Sequence, residues 1–209
     1  SHPRDFVRAT VVAIDANPVL ADHIHLPVQS GSTRVLERMQ RLYTREDFLE
    51  RIAWIRSARR QIAISTDVIV GFPGETEADF EQTLTLLEEV RFDAMFSFKY
   101  SPRPGTAALA LDGQVAEEEK GRRLAVLQAL QREIQERRHA ALVGAVQEVL
   151  VEGFNEARQQ WIGRTSQNRI LNFTSPRGQA DALLGRYVEA RVTRAGPNSL
   201  AGERAGNLV

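Results

Sequence analysis

Apolar positions along this chain fall into two textures. From His23 to Gly144, short runs rich in β-branched or aromatic residues and bounded by Gly or Pro predict strands over 22–28 (DHIHLPV), 62–70 (IAISTDVIV) and 94–100 (AMFSFKY). Between and after these runs the apolar residues move to helical spacing: Phe48, Ile52 and Ile55, then Phe80, Leu84 and Leu87, then Leu124, Leu127, Leu130 and Ile134. Each set marks one buried face. Thr44 with Asp47, and Thr76 with Asp79, put a hydroxyl at a helix N-cap and an acid three positions on, which predicts helices over 44–60 and 76–90. Alternating strands and helices imply a parallel sheet with right-handed crossovers, either doubly wound or part of a (β/α) barrel. The opening stretch, 1–18, predicts a loop and the helix before the first complete strand, as in a chain that starts within a domain.

After Gly144 the helical spacing stops. Runs at 146–154 (VQEVLVEGF), 161–164 (WIGR), 169–173 (RILNF) and 186–194 (RYVEARVTR) are short, β-rich and separated by turn residues. They predict a small all-β barrel of the type that binds oligonucleotides, and so two domains, 1–144 and 145–209. The Arg/Glu-rich segment 116–143 reads as a solvated outer helix with one apolar stripe and no chemistry of its own.

Composition narrows the function. At 209 residues and 43% hydrophobic, the chain can bury a substantial core. No run of about eighteen uncharged apolar residues occurs, so a membrane helix is not expected and a cytoplasmic location is. The absence of cysteine excludes disulfides, zinc-thiolate sites and an iron-sulfur cluster held by the chain's own thiolates. Twenty-seven basic residues balance 27 acidic ones, so any nucleic-acid binding must come from local patches.

Three segments fall where strands end, the place where parallel α/β folds gather ligand contacts. Gln29, Ser30 and Ser32 of QSGS suit ribose hydroxyls or a carboxylate, with Gly31 allowing close backbone approach; a polar turn explains the same residues. GFPGE (71–75) leads into a helix N-terminus but lacks the lysine of a phosphate-binding loop. SPRPGT (101–106) holds Arg103 between two prolines, suited to a carboxylate or an RNA phosphate. His23 and His25 share one strand face and read as hydrogen-bonded rim or core histidines rather than metal ligands. Arg41 and Arg45 flank Tyr43 and read as solvated surface residues, or as phosphate contacts. In GRTSQNRILNF (163–173), Arg164, Asn168 and Arg169 lie beside Trp161 and Phe173, a mixture that suits phosphate contact and base stacking and that an ordinary barrel also produces.

The ordered motifs HLPVQSGS (25–32), RLYTREDF (41–48), DVIVGFPGETEADF (67–80), FSFKYSPRPGTAA (96–108), GRTSQNR (163–169) and PNSLAGE (197–203) resemble MiaB-type tRNA methylthiotransferases, and the resemblance runs end to end. It implies the second half of a radical-SAM barrel followed by a TRAM domain, from an enzyme that methylthiolates an isopentenyl-type adenosine beside the anticodon. Family members use S-adenosyl-L-methionine (SAM) and 4Fe-4S clusters; neither cysteine set occurs here, which implies that this chain alone is inactive and lacks an amino-terminal part. By matching position the resemblance points to Gln29 and Ser30 for SAM ribose or methionine, to Val70, Gly71 and Tyr100 for the adenine wall, and to Arg164, Asn168 and Arg169 for the tRNA anticodon stem-loop. Related branches act on a ribosomal protein or on other tRNA adenosines. Two rival readings remain: a self-standing RNA-binding protein with a scaffold half-barrel, and a cluster-free α/β enzyme, for which Glu75 is a rim acid without an evident partner. An exposed sheet edge is expected to make the isolated chain prone to aggregation.

Overall fold

The computed structural model describes residues 2–175 and 183–208. They pack as two compact units, Ser1–Leu20 with Ile24–Ile134, and Ala21–His23 with Gln135–Val209. The first holds α1 (Arg8–Ala16), α2 (Thr33–Arg38), α3 (Arg45–Arg56) and α4 (Glu77–Val90) around a three-stranded sheet of β1 (His23–His25), β2 (Ala63–Val70) and β3 (Ala94–Lys99). The sheet order is β1-β2-β3, with β2 and β3 parallel from Ser65↔Ala94 to Val70↔Lys99. α5 (Glu117–Ala140) is acidic in its first turn and basic in its last, as its dipole favours.

The capping boxes form as the sequence predicts: Thr44 and Asp47 close one at α3, and Thr76 and Asp79 another at α4. α2 was not foreseen. It is a six-residue turn of helix whose N-cap, Ser32, accepts from Val35 N–H. The first strand is also shorter than its apolar run. Pro27 has no N–H to give, and Thr66 Oγ1 takes the place of a ladder partner by accepting from Val28 N and donating to Leu26 O, so regular pairing stops at His25 and resumes as a single parallel bridge, Gln29↔Val68.

The two faces of the sheet differ. Ile64, Val68 and Val70 of β2 sit in one apolar core with Phe48 and Ile55 of α3, Phe80, Leu86 and Leu87 of α4, and Leu127 of α5. On the opposite face Phe96 and Phe98 of β3 remain 57% and 53% exposed. Alternation along each strand, combined with the in-register pairs Asp67↔Phe96 and Ile69↔Phe98, puts these side chains in one row.

The second unit is a closed barrel, with strand order β4-β5-β6-β8-β7. Its strands are β4 (Val146–Asn155), β5 (Gln160–Thr165), β6 (Ile170–Thr174), β7 (Tyr187–Ala195) and β8 (Leu200–Leu208). Closure comes from β4 pairing with both β5 and β7, and from β8 lying parallel to β6 and antiparallel to β7. Register shifts at Val151/Gly153, Val188/Ala190 and Val192/Arg194 bend the strands enough to close. β8 was missed from sequence because it lacks a β-branched run. Its Gly202 lets two backbones approach, since a Cβ there would lie 2.2 Å from Arg191 O.

Candidate functional site

The three predicted strand-end loops leave the same edge of the sheet. Gln29 N donates to Asp67 O, Ile69 N to Gln29 O and Tyr100 N to Val70 O, so Gln29, Val70, Gly71 and Tyr100 stand side by side where the parallel strands end. Gln29 adopts φ 70°, a left-handed conformation uncommon outside glycine, while its backbone serves both neighbours of the bridge. Tyr100 is buried, with its ring edge-on to Phe72 at 5.1 Å and Lys120 Nζ 5.5 Å above it. Its hydroxyl has no hydrogen-bond partner among the described residues. A phenol left unpaired in the interior is costly, and a ligand group can supply the missing partner.

Much of the motif chemistry is occupied within the protein. Ser30 is fully buried and its Oγ accepts from Ser32 N; Ser32 Oγ in turn donates to Asp79 Oδ1 at 2.7 Å. Gly31 N donates to Thr83 Oγ1, and a Cβ at Gly31 would lie 2.4 Å from Gln82 O. The close approach that this glycine permits is therefore to α4. The GFPGE loop is held from three sides. Arg34 donates to Gly74 O at 2.6 Å, Arg38 to Pro73 O at 2.9 Å, and Glu75 Oε1 accepts from both Gly71 N and Arg123 Nη1. Both glycines with left-handed φ in this loop face side chains: a Cβ on Gly71 would meet Lys120 Cγ at 2.3 Å, and one on Gly74 the Arg38 guanidinium at 2.7 Å.

Two electrostatic consequences follow. Burial raises the Glu75 carboxyl above its ordinary value, against the Gly71 N–H and Arg123 that oppose the shift. Burial would also raise Asp79, but hydrogen bonds from Arg34, Thr76 and Ser32 outweigh it and hold this carboxyl well below the usual range. Glu75 therefore has a partner, contrary to the sequence reading, and it is a structural one. Arg45 is likewise neither solvated nor offered to phosphate: it donates to Gly31 O, Gln82 O and Thr85 Oγ1, and pairs with Glu89. The helix read as ordinary and solvated buries Lys120, Arg123, Gln131 and His139. Apolar periodicity could not have revealed these clamps, because the partners that tie separate elements together, Arg123 with Glu75, Arg34 with Asp79 and Arg45 with Gln82, lie 48, 45 and 37 residues apart.

His25 is hydrogen-bonded, as expected: its Nδ1 lies 2.9 Å from Ser65 Oγ and its Nε2 3.4 Å from Asp67 Oδ2. Arg103 lies in an exposed turn. A cavity of about 410 Å³ opens along β3 beside Phe98, Tyr100 and Glu117. Among the described residues no group of three or more His, Asp or Glu side chains is arranged to hold a metal ion. With no cysteine in the chain, the residues present do not fit thiolate ligation of an iron-sulfur cluster.

In the barrel, Arg164, Asn168 and Arg169 come together at the β5–β6 hairpin. Arg164 pairs with Glu152 at 3.1 Å and donates to Asn168 Oδ1 at 3.1 Å, and Asn168 takes φ 61° in the turn. Trp161 and Phe173, read from sequence as stacking groups, are cross-strand partners inside the barrel core. The exposed aromatics are Phe154 and Tyr187.

Comparison with known proteins agrees with this architecture. Residues 12–87 match the family model of the Radical SAM superfamily, and residues 140–204 that of the TRAM domain. In fold the chain is similar to a solved Escherichia coli structure titled as coproporphyrinogen III oxidase (HemN), a radical SAM enzyme, with a TM-score of 0.51 at 14% identity, covering 95% of this chain and 49% of that one. The class is thus a radical SAM segment joined to a TRAM domain. The chain is 62% identical over 205 residues to a protein of Solibacter usitatus named tRNA-2-methylthio-N(6)-dimethylallyladenosine synthase, and 56% identical over 207 residues to one so named from Koribacter versatilis. These matches cover 98% and 99% of this chain and 46% of each relative, so the chain spans about half their length.

Proposed function

We propose that this chain is part of a tRNA methylthiotransferase that adds a methylthio group to an N6-isopentenyl-type adenosine adjacent to the anticodon, working in the cytoplasm. The observation that carries the proposal is the set of strand ends, Gln29, Gly71 and Tyr100, opening on one sheet edge in a chain that resembles such synthases throughout. The unpartnered Tyr100 hydroxyl and the left-handed Gln29 support SAM binding at this edge. When bound, SAM supplies the radical chemistry; the chain's own residues position it. Ser30 and Val70 are 0% and 1% exposed, so the contacts we assign to Ser30, Val70 and Gly71 are backbone ones, whereas Gln29 and Tyr100, at 8% and 9%, keep a little side-chain surface to offer. Clusters of the 4Fe-4S type would be held by residues outside this sequence.

For the TRAM unit, taken as residues 145–209, we assign tRNA contact to Arg164, Asn168 and Arg169, with the anticodon stem-loop as the partner. The test is to titrate the chain with an anticodon stem-loop RNA across a salt series. Affinity should fall steeply with salt, because released counterions drive phosphate binding. An absence of binding at low salt would overturn the tRNA assignment, and an absence of SAM binding in the enzyme carrying Tyr100→Phe and Gln29→Ala changes, compared with intact SAM binding in the parent, is the result expected for the cofactor edge.

A further inference from the structure

The open face of the sheet carries chemistry that the strand-end assignment does not use. Asp67, in the middle of β2, projects from this face with its side chain 28% exposed, and His25 Nε2 lies 3.4 Å from one carboxylate oxygen. Ser65 holds the other nitrogen of His25 at 2.9 Å, so Ser65, His25 and Asp67 form a polar line across β1 and β2. Beside it stands an aromatic line. Phe96, the in-register neighbour of Asp67, meets the His25 ring edge-on at 6.2 Å, and Phe98 follows two residues on beside Ile69.

A carboxylate repels phosphate and accepts hydrogen bonds from N–H groups. Exposed phenyl rings favour flat or branched apolar surface. A ligand answering both has a planar ring, an N–H donor at its edge and no negative charge there, which describes a nucleobase and excludes a phosphate backbone. We infer that the Asp67 carboxylate, oriented by His25, accepts a hydrogen bond from the N6–H of an N6-alkylated adenine, while Phe96 and Phe98 cover the ring and its alkyl group. This rests on the reading that the substrate is an adenosine; it goes further by naming the groups that recognise the base. An adenine could also arrive as part of SAM, so the test must separate the two sources.

Dissociation constants are measured for this chain with four probes: N6-dimethylallyladenosine, its N6-methylated analogue without an N–H, adenosine, and S-adenosylhomocysteine. The parent chain should bind N6-dimethylallyladenosine about tenfold more tightly than the N6-methylated analogue, the size expected for one lost hydrogen bond to a charged acceptor. Asp67→Ala should erase that difference, and Phe98→Ala should bring the dimethylallyl nucleoside down to the affinity of adenosine. Equal binding of the two N6 analogues, or no binding of either, overturns the inference without requiring any variant to fold. Loss of S-adenosylhomocysteine affinity in Asp67→Ala, with N6 discrimination intact, assigns the carboxylate to the cofactor and also overturns it. RNA binding is measured on the same preparation. Its loss alongside intact nucleoside discrimination counts against the tRNA assignment only, whereas lost discrimination with intact RNA binding counts against the base-recognition site only.

Discussion

The two units solve the problem of a β-sheet's exposed groups in opposite ways. The TRAM barrel closes on itself, so its core residues Val149, Leu171, Phe173, Val188 and Leu200 are all contained and every strand has two neighbours. The radical SAM unit keeps an open three-stranded sheet with Phe96 and Phe98 exposed on one face, and its strand-end loops are tied by ionic and hydrogen-bonded clamps: Arg123 with Glu75, Arg34 with Asp79, Arg45 with two backbone carbonyls. Closure gives a unit that is stable through packing. Clamping holds the strand-end loops in shape without closing the sheet.

This contrast can be broken or sharpened by experiment. The largest effect is expected for Arg123→Ala, which strands the Glu75 carboxylate in the interior and should cost about 3–5 kcal/mol in the first unit. Hydrogen exchange resolved by residue should show the loss in β2 and α4 and none in the barrel; an Arg123→Met, Glu75→Leu pair should restore much of it. Phe173→Ala is the converse experiment. It opens a cavity in the closed core and should cost a similar ~3–5 kcal/mol, confined to the amides of β4–β8.

Smaller effects test the clamp at Asp79. Its folded pKa is depressed, so the stability it contributes is present above the unfolded value of 3.8 and is lost as pH falls from there through the folded value. Acid unfolding of the first unit should therefore be less steep below pH 3.8 in Asp79→Asn than in the parent, with the neutral-pH stability lower by about 2 kcal/mol. Thr76→Ala removes the cap of α4 together with one hydrogen bond to Asp79 and should cost about 1 kcal/mol by urea titration. Arg164→Ala should leave stability nearly unchanged and lower the magnitude of the salt slope for RNA by about one. An unchanged slope would remove Arg164 from the interface.

Local signals carried far in this chain. Thr44-x-x-Asp47 and Thr76-x-x-Asp79 announced their helices because a cap is made by residues three apart. The strand cores were visible because burial on a pleat selects β-branched residues. Ser32 and Arg45 were legible as polar residues, but not as clamps, since their partners Asp79 and Gln82 are distant in sequence. Asp67 and Phe96 gave no joint signal for the same reason: they became neighbours only when β2 and β3 paired.

By itself the sequence determined the starts of α3 and α4, the three parallel strands, the change of texture near Gly144 and the resemblance to the synthases, all of which depend on short-range pattern or on ordered motifs. The tertiary structure alone decided that β8 exists, that Glu75 is paired, that Trp161 and Phe173 are core, and that a carboxylate and two phenyl rings share an open face. These facts depend on contacts between residues far apart along the chain, and such contacts are fixed by how the elements pack.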